Sequence, residues 1–257
     1  MKALFSKEDI PDDWRELLGN YLESNGWQSL EKNLQAILDL DASVVRPEPR
    51  HFFKALKLTP VNSVKAVILG QDPYHSPGLA QGLAFSIPAE IAVNSREFPS
   101  SLRNISKALA LEGFGQLPNG DLHNWANQGV LLLNTALSVK SALSVKLGGA
   151  GSHANLGWKS LIDHLISALS MAKPHLVWML WGGYAQSKLP LIESGQDQLV
   201  LQSSHPSGLG VYKTDKPFLM PGGKASCNHF TKTNQWLADH QIPAIQWVDR
   251  LQTDLFD

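Results

Sequence analysis

The 257 residues contain a single cysteine, Cys227, so no internal disulfide can form and no thiolate cluster is available for a structural zinc or iron–sulfur centre. That usage fits a reducing compartment. No apolar run approaches the length that spans a bilayer, and the N-terminus, with Lys2, Lys7, Glu8 and Asp9, lacks an apolar stretch of signal-peptide length. A cytoplasmic chain without a membrane role is expected. Neither sign of charge prevails: 22 Lys and Arg against 23 Asp and Glu leave a formal −1. The overall field is therefore not that of a basic nucleic-acid binder, and any such contact must rest on local chemistry. Internal repeats, low-complexity tracts and Ser/Gly/Pro-rich linkers are also missing, which favours one domain over residues 1–257.

What is present is apolar patterning: hydrophobic residues make up 43% of the chain, enough for a substantial core. Leu30, Leu34, Ile37 and Leu38 recur at helical spacing until Arg46-Pro-Glu-Pro49 stops the pattern, and a second stripe runs through Trp158, Leu161, Ile162, Leu165, Ile166 and Leu169. Between such segments lie four short continuous apolar runs, Val64–Leu69, Val130–Leu133, Leu176–Trp181 and Leu199–Leu201. Runs of that length without alternation are expected of strands buried on both faces. The predicted fold class is α/β, a three-layer α/β/α sandwich around a mostly parallel four-stranded sheet. Two stretches, 140–154 and 208–226, are expected to be surface loops.

Polar residues follow these runs: Gly70-Gln-Asp-Pro-Tyr-His75, then Asn134-Thr135, then Gly182-Gly183, then Ser203-Ser-His-Pro-Ser207. In an open parallel sheet the ligand crevice lies beyond the carboxyl ends of the strands, so Asp72, Tyr74, Asn134 and His205 should converge there. A carboxamide such as Asn134 presents a donor and an acceptor in one plane and can read an amide-like ring, on which Phe85 could stack. Asp72 could orient water or stabilise a developing cation, and His205 could donate to a departing anion. Each residue taken alone has a plainer role, as a turn former, a cap or a core ring. Taken together they supply complementary groups after successive strands.

The motifs Gly70-Gln-Asp-Pro-Tyr-His75, Gly82-Leu-Ala-Phe-Ser86, Leu131-Leu-Leu-Asn-Thr135, Ser152-His-Ala-Asn-Leu-Gly-Trp158, Leu180-Trp-Gly182, His205-Pro-Ser207 and Cys227-Asn-His-Phe230 stand in the order of the family 1 uracil-DNA glycosylases, which the chain resembles from about Pro47 to Trp247. The resemblance implies a monofunctional hydrolase that flips uracil out of DNA, cuts its N-glycosidic bond and leaves an abasic site, with no cofactor and no metal. It makes Asp72 the carboxylate that positions water and steadies the sugar cation, and His205 the neutral donor to uracil O2. Asn134 reads the base edge, Phe85 stacks on it, Tyr74 crowds the C5 position, and the backbone of Gln71 approaches the base. Leu209 matches the wedge residue, and Ser101 and Ser207 match serines that pinch phosphates. Implied partners are single- and double-stranded DNA containing uracil and DNA-mimicking inhibitor proteins, with the enzyme a monomer. From the residues alone, a charged His205 acting as general acid serves a leaving anion equally well.

The chain departs from the pattern after His-Pro-Ser, where the family continues Pro-Leu-Ser-Ala and this sequence has Gly208-Leu-Gly-Val211. The segment Gly210–Ser226 is longer than the family's, and its Lys213 and Lys216 are expected to lie near DNA and replace lost contacts. Three rival readings use the same residues: a glycosylase relaxed toward other pyrimidines, which Tyr74 disfavours; a uracil-sensing DNA-binding module without catalysis, which Asp72 and His205 disfavour; and a metal hydrolase on His75, His205 and His229, whose spacing is unlike that of helical zinc motifs.

Overall fold

A computed structural model describes residues 5–141, 149–192, 196–208 and 210–249. Four strands, β2 (Ala66–Gly70), β3 (Val130–Asn134), β5 (Val177–Trp181) and β6 (Leu199–Ser203), form one sheet in the order β3-β2-β5-β6. Every pairing is parallel, with Gly70 opposite Asn134 and Trp181 opposite Ser203 at the carboxyl ends. All residues of β2, β3 and β5 are buried, so helices must cover both faces, as their unbroken apolar runs predict. Two further strands, β1 (Val45–Arg46) and β4 (Val139–Lys140), pair antiparallel; at two residues each they carry no periodicity that a sequence could reveal.

The expected helices are α2 (Asn25–Asp41) and α6 (Trp158–Ala172). In α2 the Ser24 hydroxyl accepts the Trp27 amide as an N-cap, and Trp27, Leu30, Leu34 and Leu38 form the buried stripe. Burying each such leucine contributes roughly 1.5–3 kcal/mol, so packing rather than propensity holds the helix. It ends at Asp41, five residues before Arg46, because the Asp41 carboxylate accepts the Ser43 amide and starts a 3-10 turn. Helix α4 (Ser100–Leu111) buries Ser101, Leu102, Ile105 and Leu109. Helix α8 (His229–Asp239) carries the chain back along β5 and β6. No helix among the described residues is long and apolar enough to cross a membrane.

The segment expected as a surface loop at 208–226 is a loop, exposed over 212–216, and it is also anchored. Val211, Phe218 and Leu219 are buried, and Leu219 pairs with Ser226 in an isolated bridge. The Ser204 amide donates to the Lys216 carbonyl at 2.7 Å, and the Ser204 hydroxyl donates to the Val211 carbonyl and accepts from the Phe218 amide. The glycines and lysines of this stretch mask its three apolar anchors. Of the other expected loop, residues 142–148 lie outside the described residues, as does the expected wedge residue Leu209.

Candidate active site

The carboxyl ends of β2 and β3 are tied together before either loop departs. Thr135 and Ala136 donate their amides to the carbonyls of Gly70 and Gln71, and the Thr135 hydroxyl adds a third bond to Gln71, all at 3.0 Å. Gly70 is required by this junction: a Cβ there would lie 2.2 Å from Asn134 Oδ1. The Asn134 side chain is buried and has no hydrogen-bond partner among the described residues. The carboxamide faces the cavity beyond these strand ends, where a ligand can meet it.

Beyond these ends opens a cavity of about 180 Å³ whose lining includes Gln71, Asp72, Tyr74, Phe85, Asn134 and His205, together with His75, Ser101 and Ala150. The sequence-predicted convergence is thus met by residues from four separate segments. Phe85 adopts φ +65°, a conformation disfavoured for a bulky residue, with its ring 5.7 Å from that of His205 and 5.6 Å from that of Trp181. Gly182 backs His205, since a Cβ there would meet the His205 Cβ at 2.9 Å.

His205 has a defined tautomer. The Ser207 amide donates to Nδ1 at 3.0 Å, so Nδ1 is an acceptor and the neutral ring carries its hydrogen on Nε2. Burial pushes its pKa below the ordinary histidine value. Both effects favour a neutral hydrogen-bond donor over a charged general acid. The Asp72 carboxylate accepts the Gly151 amide at 3.0 Å. Its burial raises the pKa from the ordinary aspartate value, offset in part by that amide, by the Gln71 side chain and by His75.

Tyr74 is clamped. Its hydroxyl lies 2.9 Å from the Ser101 hydroxyl and 3.3 Å from the Phe85 carbonyl, to which it donates. Ser101, expected to hold phosphate, is therefore buried and committed to the tyrosine, while its neighbour Ser100 accepts the Gly208 amide at 3.2 Å. Asn104, one turn along α4, donates to the Pro206 carbonyl at 2.7 Å. Helix α4 thereby fixes the loop carrying Tyr74 against the loop carrying His205.

Ser207, Lys213 and Lys216 do not line the cavity. Ser207 shapes the loop by accepting the amides of Gly210 and Val211 at 2.9 Å. Lys213 is exposed, and Lys216 borders a separate cavity with Asp215, Gln202 and Lys232. His229 is buried and accepts from the Trp181 indole at 3.0 Å, and among the described residues His75, His205 and His229 form no metal-like cluster. Sequence reasoning missed Gly70, Gly151 and Gly182 as parts of the site, because their contribution is space or a backbone amide and leaves no chemical signature of its own.

Comparison with known proteins places these features among relatives. Residues 56–238 match the Uracil DNA glycosylase superfamily. The chain is similar to a uracil-DNA glycosylase of Idiomarina loihiensis, 44% identical over 86% of this chain and 91% of the relative. It is also similar to one of Neisseria meningitidis serogroup C, 42% identical over 92% and 99% of the two. Among solved structures it resembles mimivirus uracil-DNA glycosylase, with a TM-score of 0.78 at 25% identity over 96% of this chain and 89% of the other. A variant of the mimivirus protein in complex with UGI superposes with a TM-score of 0.79 at 26% identity over 95% and 90% of the chains.

Proposed function

This chain belongs to the uracil-DNA glycosylase superfamily, and from that premise we propose that it hydrolyses the N-glycosidic bond of uracil in DNA, with Asp72 and His205 as its catalytic pair. The observation that carries this assignment is the meeting of Asp72, Asn134, Phe85 and His205 around one cavity. Uracil enters after its nucleotide leaves the stack, at a cost of a few kcal/mol. Phe85 stacks on the ring, Asn134 pairs with its O4 and N3 edge, and Tyr74 fills the space a C5 methyl would need. Cytosine sets an amine against the donor of Asn134 and leaves buried groups unpaired.

As the C1′–N1 bond breaks, its electron pair leaves with the base. The Nε2–H of His205 donates to O2, where negative charge gathers, in a site that water has largely left. The Asp72 carboxylate, opposite, stabilises the cationic sugar and orients the water whose oxygen bonds to C1′. The proton lost by that water neutralises the uracil anion, so the products are free uracil and an abasic site. The reaction is monofunctional hydrolysis by one catalytic domain over residues 1–257, acting as a cytoplasmic monomer without a cofactor.

The partner is uracil-containing DNA, single- or double-stranded. Leu209 wedges into the vacated position, Ser207 acts near the phosphates, Ser101 serves only through Tyr74, and Lys213 and Lys216 add charge beside the strand. DNA-mimicking inhibitor proteins meet the same face, a proposal supported by the UGI complex of the mimivirus relative. Base release from oligonucleotides that differ only in carrying uracil, thymine or cytosine tests the assignment: uracil alone should appear as free base, and brisk thymine release would refute the role given to Tyr74.

A further inference from the structure

Three ligand-bearing side chains that the chemistry above does not use meet at the other end of the sheet. His175 stands just before β5, Asp197 just before β6, and His240 immediately follows α8. His240 Nε2 lies 2.9 Å from Asp197 Oδ2, and His175 Nδ1 lies 3.2 Å from the same oxygen. One ligand atom from each residue falls within 4.8 Å of the other two. Tetrahedral zinc with bonds of about 2.0–2.1 Å sets its ligand atoms about 3.3 Å apart, so two of these separations are already near the required value.

The hydrogen positions favour a cation among them. His240 Nδ1 sits 2.8 Å from the Trp236 carbonyl, an acceptor, so Nδ1 carries a hydrogen and a neutral ring aims the Nε2 lone pair at a carboxylate oxygen. Two acceptors 2.9 Å apart need a positive centre between them. A proton on His240 would answer that pair alone. His175 Nδ1 is buried 3.2 Å from the same Asp197 oxygen but outside hydrogen-bond geometry, with its backbone at φ +61° and its amide donating to the Asp197 carbonyl at 2.6 Å. A metal ion answers all three groups, and an imidazole whose second nitrogen donates to a backbone carbonyl is the usual outer support of such a ligand. Imidazole with carboxylate suits zinc among the available divalent ions.

We propose that His175, Asp197 and His240 form a zinc site, with water completing the shell, that ties together the segments entering β5, entering β6 and leaving α8. The site stands apart from uracil release.

The test uses tag-free full chain stripped with a chelator and titrated with Zn²⁺ in competition with a chromophoric zinc indicator. One zinc per chain is expected, weakened more than about tenfold in D197N and H240A. H175N is a second probe, because asparagine tolerates positive φ and so keeps the backbone. At a hundredfold excess of Zn²⁺ over Kd the melting temperature should rise roughly 5–10 °C in the parent chain and not in the variants. Trp236 supplies a local signal: its indole donates to the His175 carbonyl at 3.1 Å and its ring lies 4.3 Å from that of His240. Cu²⁺ should quench fluorescence in the parent chain and less so in W236F. Failure of the parent chain to bind zinc, or binding that all three ligand variants retain, would overturn the proposal.

Discussion

Ser207 and His205 are joined by a backbone-to-ring hydrogen bond in which the serine amide donates to Nδ1 at 3.0 Å. A proton on Nδ1 would face that amide donor to donor, so the imidazolium is disfavoured by geometry as well as by burial. The first prediction is a pH profile. On the proposed mechanism, release requires an ionised Asp72, whose pKa burial raises from 3.8, and a neutral His205, whose pKa burial lowers from 6.5. Both requirements are lost toward acid, so the rate should climb with pH and level off above about 6.5. A rate that falls between pH 7 and 8.5 would identify His205 as a charged general acid instead.

Replacing either member of the pair should separate chemistry from folding. His205→Ala and Asp72→Asn are each expected to slow release on the order of 10²–10³-fold, the range seen when a positioned donor or acid–base group is removed. Their melting temperatures should stay near that of the parent chain. Asn134→Asp should gain release of cytosine, detected as free base from a cytosine-containing oligonucleotide.

Gly70→Ala probes placement alone. The added methyl would lie 2.2 Å from Asn134 Oδ1, so the carboxamide must move while every catalytic side chain is retained. A displacement of about 1 Å at a reacting centre costs on the order of 10²-fold. Full activity in this variant would mean that Asn134 does not need its observed position.

Ser101→Ala removes the partner of the Tyr74 hydroxyl and leaves the Phe85 carbonyl as its acceptor. A loss of about 1 kcal/mol in unfolding free energy is expected, together with measurable thymine release as the ring loosens. An unchanged ratio of thymine to uracil release would show that Ser101 does not hold Tyr74 in place.

Two buried histidines tie stability to pH. Burial drives His153 down to about 4 and His229 down to about 3. The unfolded chain, with ordinary values near 6.5, then binds protons that the folded chain refuses. Their contribution is complete above pH 6.5 and is lost as pH falls through about 4 and then about 3. Urea midpoints should drop steadily between pH 6.5 and 4, and His153→Gln should flatten that dependence.

Particular elements mark how far sequence alone reaches. The strands ending at Gly70, Asn134 and Trp181 were legible because burial on both faces leaves continuous apolar character, whereas β6, expected to be buried on both faces, is a half-exposed edge strand whose apolar run stops two residues short of its end at Ser203. The two-residue strands β1 and β4 were not, since pairing Val45 with Lys140 and Arg46 with Val139, distant in the chain, leaves no local pattern. The 208–226 segment is the expected loop, exposed over 212–216, but its buried anchors Val211, Phe218 and Leu219 were not legible because they are spaced irregularly among glycine, proline and lysine.

The sequence by itself determined the sheet-forming segments, the order of the motifs and the convergence of Asp72, Tyr74, Asn134 and His205, since each is written in residue type and spacing. Only the tertiary structure decided that Ser101 serves Tyr74, that a Gly151 amide holds Asp72, that Ser207 fixes the hydrogen of His205, and that His175, Asp197 and His240 meet. Most of these join residues far apart in the chain, and even the close one depends on how a loop turns. Hydrogen bonds and ligand clusters depend on ångström positions in space, which a linear pattern of residue types does not carry.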